Sequence, residues 1–144
     1  MGTVSVKWVE SQLMTGVDSF GHPLTIGSWP EREPQWGGLK ASDLLMLAAA
    51  SCSAYDVVMI LTKQKEPLEG FEVTCTGEQQ SEPPYVFTTM HLNYIFKGKL
   101  NPKKVERAIK LSEEKYCSVT NTLKASVKIT NSYEIIDESL QTAL

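Results

Sequence analysis

Positive charge is scarce in this chain. Lysine and arginine total 14 against 17 acidic residues, a formal net charge of −3, and only Arg32 and Arg107 carry a guanidinium. No long basic run interleaved with aromatics is present, which argues against a nucleic-acid platform, whose affinity rests on a basic face. Short metal-ligand spacings are missing too. The candidate donors Cys52, Cys75, Cys117, His22 and His91 form no CxxC or HExxH pair, so no metal is expected. Without GxGxxG or GxxxxGK there is no support for nucleotide binding, and no cofactor is expected. The stretch Met1–Glu10 alternates polar and apolar residues instead of joining a basic start to an unbroken apolar core, so it does not read as a signal peptide and a cytoplasmic location is expected. Three cysteines are an odd number in a chain long enough to fold without staples, a pattern that suits free thiols. Repeats and long linkers are absent, and 144 residues fit one domain spanning 1–144.

What the chain does have is apolar material, 42% of residues, patterned in two periods. Thr3–Val9 alternates as a half-buried strand with Val4, Val6 and Trp8 on one face. Gln12–Val17 and Leu24–Gly27 read as two more strands, and the prolines of Trp29–Gly38 make an irregular arm. Ser42 is placed to cap a helix running to about Lys65, with Asp43 in its first turn. Within it, Leu44–Leu61 carries Asp56 as its single charge. That length is borderline for a membrane span, but Ser51, Ser53, Tyr55 and Asp56 interrupt it and amphipathic strands flank it, so a buried central helix is the better reading. Phe71–Gly77 and Val86–Phe96 follow as strands, the second with Met90, Leu92, Tyr94 and Phe96 on one face and Phe87, Thr89, His91, Asn93 and Ile95 on the other. Asn101 caps a second helix with Pro102 at its first position and Val105, Ala108, Ile109, Ser112 and Tyr116 as its buried stripe. A bend or restart falls at Tyr116–Asn121, and Ala125–Ile136 returns to strand character. The whole is an α+β fold, three strands, a long helix, two strands, two helical pieces and a strand. A chain this small has too little protein to surround its apolar helix on every side, so an obligate dimer is expected.

Each cysteine taken singly reads as a small buried hydrophobe. Two contexts weaken that reading. Cys52 lies between Ser51 and Ser53 in an otherwise apolar helix, and Cys117 follows Lys115 and precedes a helix start at Ser118. A thiolate near a cation or a helix N-terminus gains stabilisation and nucleophilicity. Against this, Asp56 stands one turn beyond Cys52, where its charge opposes thiolate formation unless it is paired or points elsewhere. His91 reads either as a polar group facing a cleft or as an ordinary strand histidine, and His22 in Gly-His-Pro as a turn residue.

The chain resembles the OsmC family of organic-hydroperoxide-resistance and osmotically induced proteins, and within it the YhfA-like branch. The resemblance is carried by Lys7-Trp8, Gly37-Gly38, Ser42-Asp43-Leu44-Leu45 through Ala48-Ala49-Ala50 to Ser51-Cys52, and Asp56-Val57-Val58. It continues through Pro83-Pro84, Phe87 and the His91–Gly98 strand end to Val105-Glu106-Arg107-Ala108 and Leu111-Ser112 with Lys115-Tyr116-Cys117-Ser118-Val119. It implies a swapped homodimer of β3-α-β2-α2-β subunits whose long central helices pack between sheets built from both chains. It also implies a redox pair, in which Cys52 attacks a peroxide and Cys117 resolves the sulfenic acid to a disulfide that an external dithiol reductant reopens. Cys75 has no counterpart in that pair.

Peroxidase members place a glutamate where this chain has Ser42, with Asp43 adjacent, and an arginine in the preceding arm, for which Arg32 is the candidate. Asp43 precedes Cys52 by about 13.5 Å of helix rise, so its expected role is support of Arg32 or of the facing subunit. Leu45, Tyr55 and Phe87, with His91, are the expected substrate contacts. The implied function is thiol-dependent reduction of organic or hydrogen peroxides. The alternative is a non-enzymatic dimer that binds a small apolar or thiol-reactive ligand.

Overall fold

The computed structural model describes residues 1–27 and 37–140. Two compact units, Met1–Leu45 and Met46–Leu144, are described separately below.

The first unit holds β1 (Ser5–Glu10), β2 (Leu13–Val17) and β3 (Pro23–Ile26), an antiparallel sheet in the order β1-β2-β3. Asp18 organises the β2–β3 turn. Its carboxylate accepts from the Phe20 and His22 backbone N–H groups and pairs with the His22 ring at 2.9 Å, so His22 is the turn residue expected. Val4, Val6 and Trp8 share a face as alternation dictates, yet all three are exposed, Trp8 by 71%. Pairing with β2 builds this strand; burial within the chain does not.

A single helix, α1 (Ala41–Lys63), leads from the first unit into the second. The chain enters it one residue before Ser42, so Ser42 lies inside the first turn and not at the cap expected of it. By length and composition α1 qualifies as a membrane span. Its polar interruptions argue otherwise: Ser53 and Asp56 are both buried inside the second unit, where each has a hydrogen-bonding partner.

The second sheet has the order β4-β5-β6, from β4 (Gly70–Gln79), β5 (Phe87–Lys97) and β6 (Lys128–Ile136). β4 and β5 are antiparallel and β5 and β6 parallel. A parallel neighbour demands a crossover, and α2 (Pro102–Leu111), a π-turn (Ser112–Tyr116) and α3 (Ser118–Leu123) supply it. Just past β5, position 98 must be glycine, since its φ is 129° and a Cβ there would stand 2.4 Å from the Pro67 carbonyl oxygen. The Asn101 side chain accepts from the Lys103 N–H and Pro102 opens α2, as expected.

Met90, Leu92, Tyr94 and Phe96 form the inner face of β5, all at most 1% exposed. Val57 and Leu61 of α1 and Val105, Ala108 and Ile109 of α2 close over Leu92, Tyr94 and Phe96. Phe71 stacks on Phe96 with ring centroids 4.7 Å apart. The stripe expected of α2 holds through Ser112 and then fails at Tyr116, which is 48% exposed, while Cys117 is fully buried. The π-turn explains the exchange. The Cys117 N–H donates to the Ser112 carbonyl at 2.8 Å, a reach of five residues. The wider turn rotates the next side chain inward in place of Tyr116.

Candidate functional site

The extra residue of the π-turn delivers Cys117 to α1. The Cys52 and Cys117 sulfurs and a carboxylate oxygen of Asp56 all lie within 4.8 Å of one another. Cys52 and Asp56 are four apart on α1 and so share its inward face. Cys117 arrives as the residue that caps α3, its sulfur accepting from the Thr120 N–H at 3.4 Å.

The two thiols have opposite environments. Partial burial works against the Cys52 thiolate, but the Val119 backbone N–H, the Cys117 thiol and the Ser118 hydroxyl, 3.9 Å away, together outweigh it. The Asp56 charge opposes them weakly, and the net is a Cys52 thiol more acidic than usual. Burial pushes Cys117 up instead. The hydrogen bonds from Thr120 relieve part of that, and donation toward Cys52 and the repulsion of its charge add to it. Cys75, on β4, is raised by burial and belongs to the packing around the core.

Asp56 is paired, which settles the objection that sequence raised against it. The Ser112 hydroxyl donates to its Oδ2 at 3.1 Å, Ser53 lies 3.2 Å from Ser112, and the Tyr94 hydroxyl lies 2.6 Å from Ser53. A carboxylate only accepts, so Ser112 spends its single proton on Asp56, Ser53 must donate to Ser112, and Tyr94 must donate to Ser53. The result is a buried chain of hydroxyls running from β5 to the carboxylate, and it accounts for Ser53 beside the cysteine. Burial pushes Tyr94 up to about 12, so it remains a donor.

Tyr55 is exposed and lines an apolar groove on α1 with Ser51, Ala54, Val58 and Met59. Phe87 packs beside Ala49, Met90 and Val127. His91 is on the face of β5 opposite Met90, Leu92 and Tyr94, with its ring nitrogens each 2.7 Å from the hydroxyls of Thr130 and Ser132, which is the ordinary strand-histidine arrangement. Asp43 and Leu45 belong to the first unit, at the start of α1. The Ser42 hydroxyl is buried without a hydrogen-bond partner among the described residues. Arg32 lies outside the described residues. Sequence reasoning missed the roles of Asp56, Ser112 and Tyr94. The signal was there in a charge and a serine set one turn and one residue from Cys52.

With this geometry in hand, four likenesses place the chain among known proteins. The sequence pattern of the family described as OsmC-like protein matches residues 34–132. Protein YhfA of Escherichia coli (strain K12) is 38% identical over 133 residues, covering 91% of this chain and 96% of that protein. The crystal structure of a hypothetical protein from Aquifex aeolicus VF5 superposes with a TM-score of 0.84 at 28% identity, covering 95% of this chain and 97% of that one. An organic hydroperoxide resistance protein OsmC from Legionella pneumophila shares the fold with a TM-score of 0.69 at 17% identity, covering 93% of this chain and 96% of that one.

Proposed function

Because the chain belongs to the OsmC-like protein family, we propose that it reduces organic or hydrogen peroxides by a two-cysteine mechanism. The observation that carries the reading is one acidified and one protonated thiol within 4.8 Å of each other. The Cys52 thiolate attacks the distal peroxide oxygen, the O–O bond breaks, and the departing alkoxide takes a proton to leave as alcohol (or water), with Cys52 left as a sulfenic acid. The Cys117 sulfur then attacks Cys52, its proton and the sulfenic hydroxyl departing as water, and a disulfide forms. An external dithiol reduces it by exchange. Forming that bond closes the sulfur pair to about 2.05 Å from within 4.8 Å.

The Legionella neighbour's hydroperoxide resistance supports the substrate class. Arg32 keeps the role of electrostatic helper through the family resemblance, and Asp43 that of its support. A homodimer supplies the remaining surface. The apolar groove of about 480 Å³ on α1 and the exposed face of Val4, Val6 and Trp8 are what a second copy would cover. Free thiols fit a cytoplasmic setting. Ser42, in place of the family's glutamate, favours the second reading, a dimer that binds a small apolar or thiol-reactive ligand without turnover.

The test is consumption of an alkyl hydroperoxide with a dithiol donor. Wild type turns over, Cys52→Ser does not, and Cys117→Ser stops after one equivalent with Cys52 trapped as a sulfenic acid. Turnover by Cys52→Ser at the wild-type rate overturns the mechanism, and a wild type that oxidises no thiol selects the binding reading.

A further inference from the structure

Cys52, Asp56 and Cys117 offer two sulfurs and a carboxylate oxygen, each within 4.8 Å of the others. We propose that in the reduced protein these three side chains bind a thiophilic divalent cation of the zinc and cadmium class. The donor set suits such an ion: thiolates select soft or borderline metals, and one carboxylate completes three protein ligands. In a tetrahedral site with metal–sulfur bonds of about 2.3 Å, the two sulfurs stand about 3.8 Å apart. The present cluster therefore needs to contract by at most about an ångström.

What lifts the cluster above a chance meeting of three groups is its surroundings. Metal ligands are oriented by outer hydrogen bonds, and here each has its own donor. The Thr120 N–H donates to the Cys117 sulfur at 3.4 Å and the Ser112 hydroxyl to Asp56 Oδ2 at 3.1 Å, while the Ser118 hydroxyl lies 3.9 Å from the Cys52 sulfur. Ser112 engages Oδ2 alone, and the carboxylate has a second oxygen besides. Cys52 is only half-buried, which gives a way in and room for water as a fourth ligand, with the Ser118 hydroxyl 3.9 Å from its sulfur as the other candidate. Spacing rules miss the site because its ligands come from one turn of α1 and from a π-turn 61 residues beyond Asp56.

Binding ties up the sulfur lone pairs that peroxide would oxidise, so the ion and the oxidant exclude each other. The titratable groups of the cluster are Cys52 and Asp56 from α1 and Cys117 from the end of the π-turn, and Tyr94 of β5 reaches it through Ser53 and Ser112. The two ligand thiols, Cys52 and Cys117, must lose their protons to ligate, so binding releases protons and weakens as the pH falls.

Cadmium ion titrated into reduced, chelator-treated protein is expected to raise an ultraviolet thiolate-to-cadmium absorption that saturates at one ion per chain and is displaced by zinc. Cys75→Ser binds as wild type, whereas Cys52→Ser and Cys117→Ser lose the band. Ser112→Ala, which removes the outer donor to Asp56 and leaves all three ligands in place, weakens binding by about 10- to 100-fold. A second measurement needs no variant: one equivalent of zinc slows alkylation of Cys52 and Cys117 and leaves Cys75 unchanged. The inference is overturned if the band survives in Cys117→Ser, if Cys75→Ser abolishes it, or if zinc protects all three thiols alike or none. Neither assay contains peroxide, so failure of the redox reading leaves both results standing.

Discussion

The buried hydroxyl chain from Tyr94 to Asp56 has a direction, and direction gives unequal costs to cutting it at its two ends. Tyr94→Phe removes the first donor. Ser53 still gives its proton to Ser112, and Ser112 still gives its own to Asp56, so no buried proton is orphaned. The loss is one neutral hydrogen bond, about 1 kcal/mol. Ser112→Ala cuts the chain beside the charge. It removes a bond to a carboxylate, about 1.5–3 kcal/mol, and strands the Ser53 proton in a buried site, which costs about another 1–3 kcal/mol. Both residues are fully buried, so solvent does little to rescue either variant.

Urea denaturation at neutral pH, followed by far-ultraviolet circular dichroism, measures the difference. With m unchanged, Ser112→Ala is expected to lose about three times the stability that Tyr94→Phe loses, and the same order holds for melting temperature. Equal losses would refute the reasoning, since they require Tyr94 to be an acceptor and the chain to run the other way. A Tyr94→Phe loss above about 3 kcal/mol would do so too, because the ring and its packing are retained.

Alkali tests the same tyrosine. Its proton is held to about pH 12 in the native state against an ordinary value of 10.0. Its contribution is therefore present below pH 10 and lost between about pH 10 and 12, a fall of about 2–3 kcal/mol that Tyr94→Phe lacks; parallel stability curves for the two proteins in that window are the contrary result. Among the thiols, Cys52 is expected to react first with iodoacetamide at neutral pH, ahead of Cys117 and Cys75, and Asp56→Asn is expected to speed it further by removing the opposing charge. Mass spectrometry of the labelled peptides decides the order. Phe96→Ala empties a fully buried site stacked on Phe71 and is expected to cost about 3–5 kcal/mol in chemical denaturation, with a loss below about 1 kcal/mol as the contrary result.

The elements that could be read from sequence were those whose cause is local. Asn101 and Pro102 start α2 by side-chain and ring chemistry, and alternation alone assigns Met90, Leu92, Tyr94 and Phe96 to one face. The family resemblance paired Cys52 with Cys117, and the fold brings them together. Tyr116 was misplaced because helical spacing was carried through Ser112–Tyr116, where a five-residue hydrogen bond resets the phase. Val4, Val6 and Trp8 show the other limit: alternation states which residues share a face and not whether the face is covered. Asp56 looked like a cost to thiol chemistry because its partner, Ser112, is 56 residues away.

That cost also bears on timing in the proposed reaction. The Cys52 thiolate is stabilised in part by the Cys117 thiol, which donates toward it, and the same interaction, with the charge behind it, holds the Cys117 proton in place. Burial is the larger cause that holds the Cys117 proton, and the nucleophile it must later attack adds to it. Oxidation of Cys52 to a neutral sulfenic acid removes the negative charge, and with it both of the contributions from Cys52 that raise Cys117. The Thr120 donors remain in place to receive the developing Cys117 thiolate. Asp56 remains beside both sulfurs throughout, its charge turned toward Ser112. Attack and then resolution is the order this favours, since burial and the charged Cys52 together hold the Cys117 proton until Cys52 is oxidised.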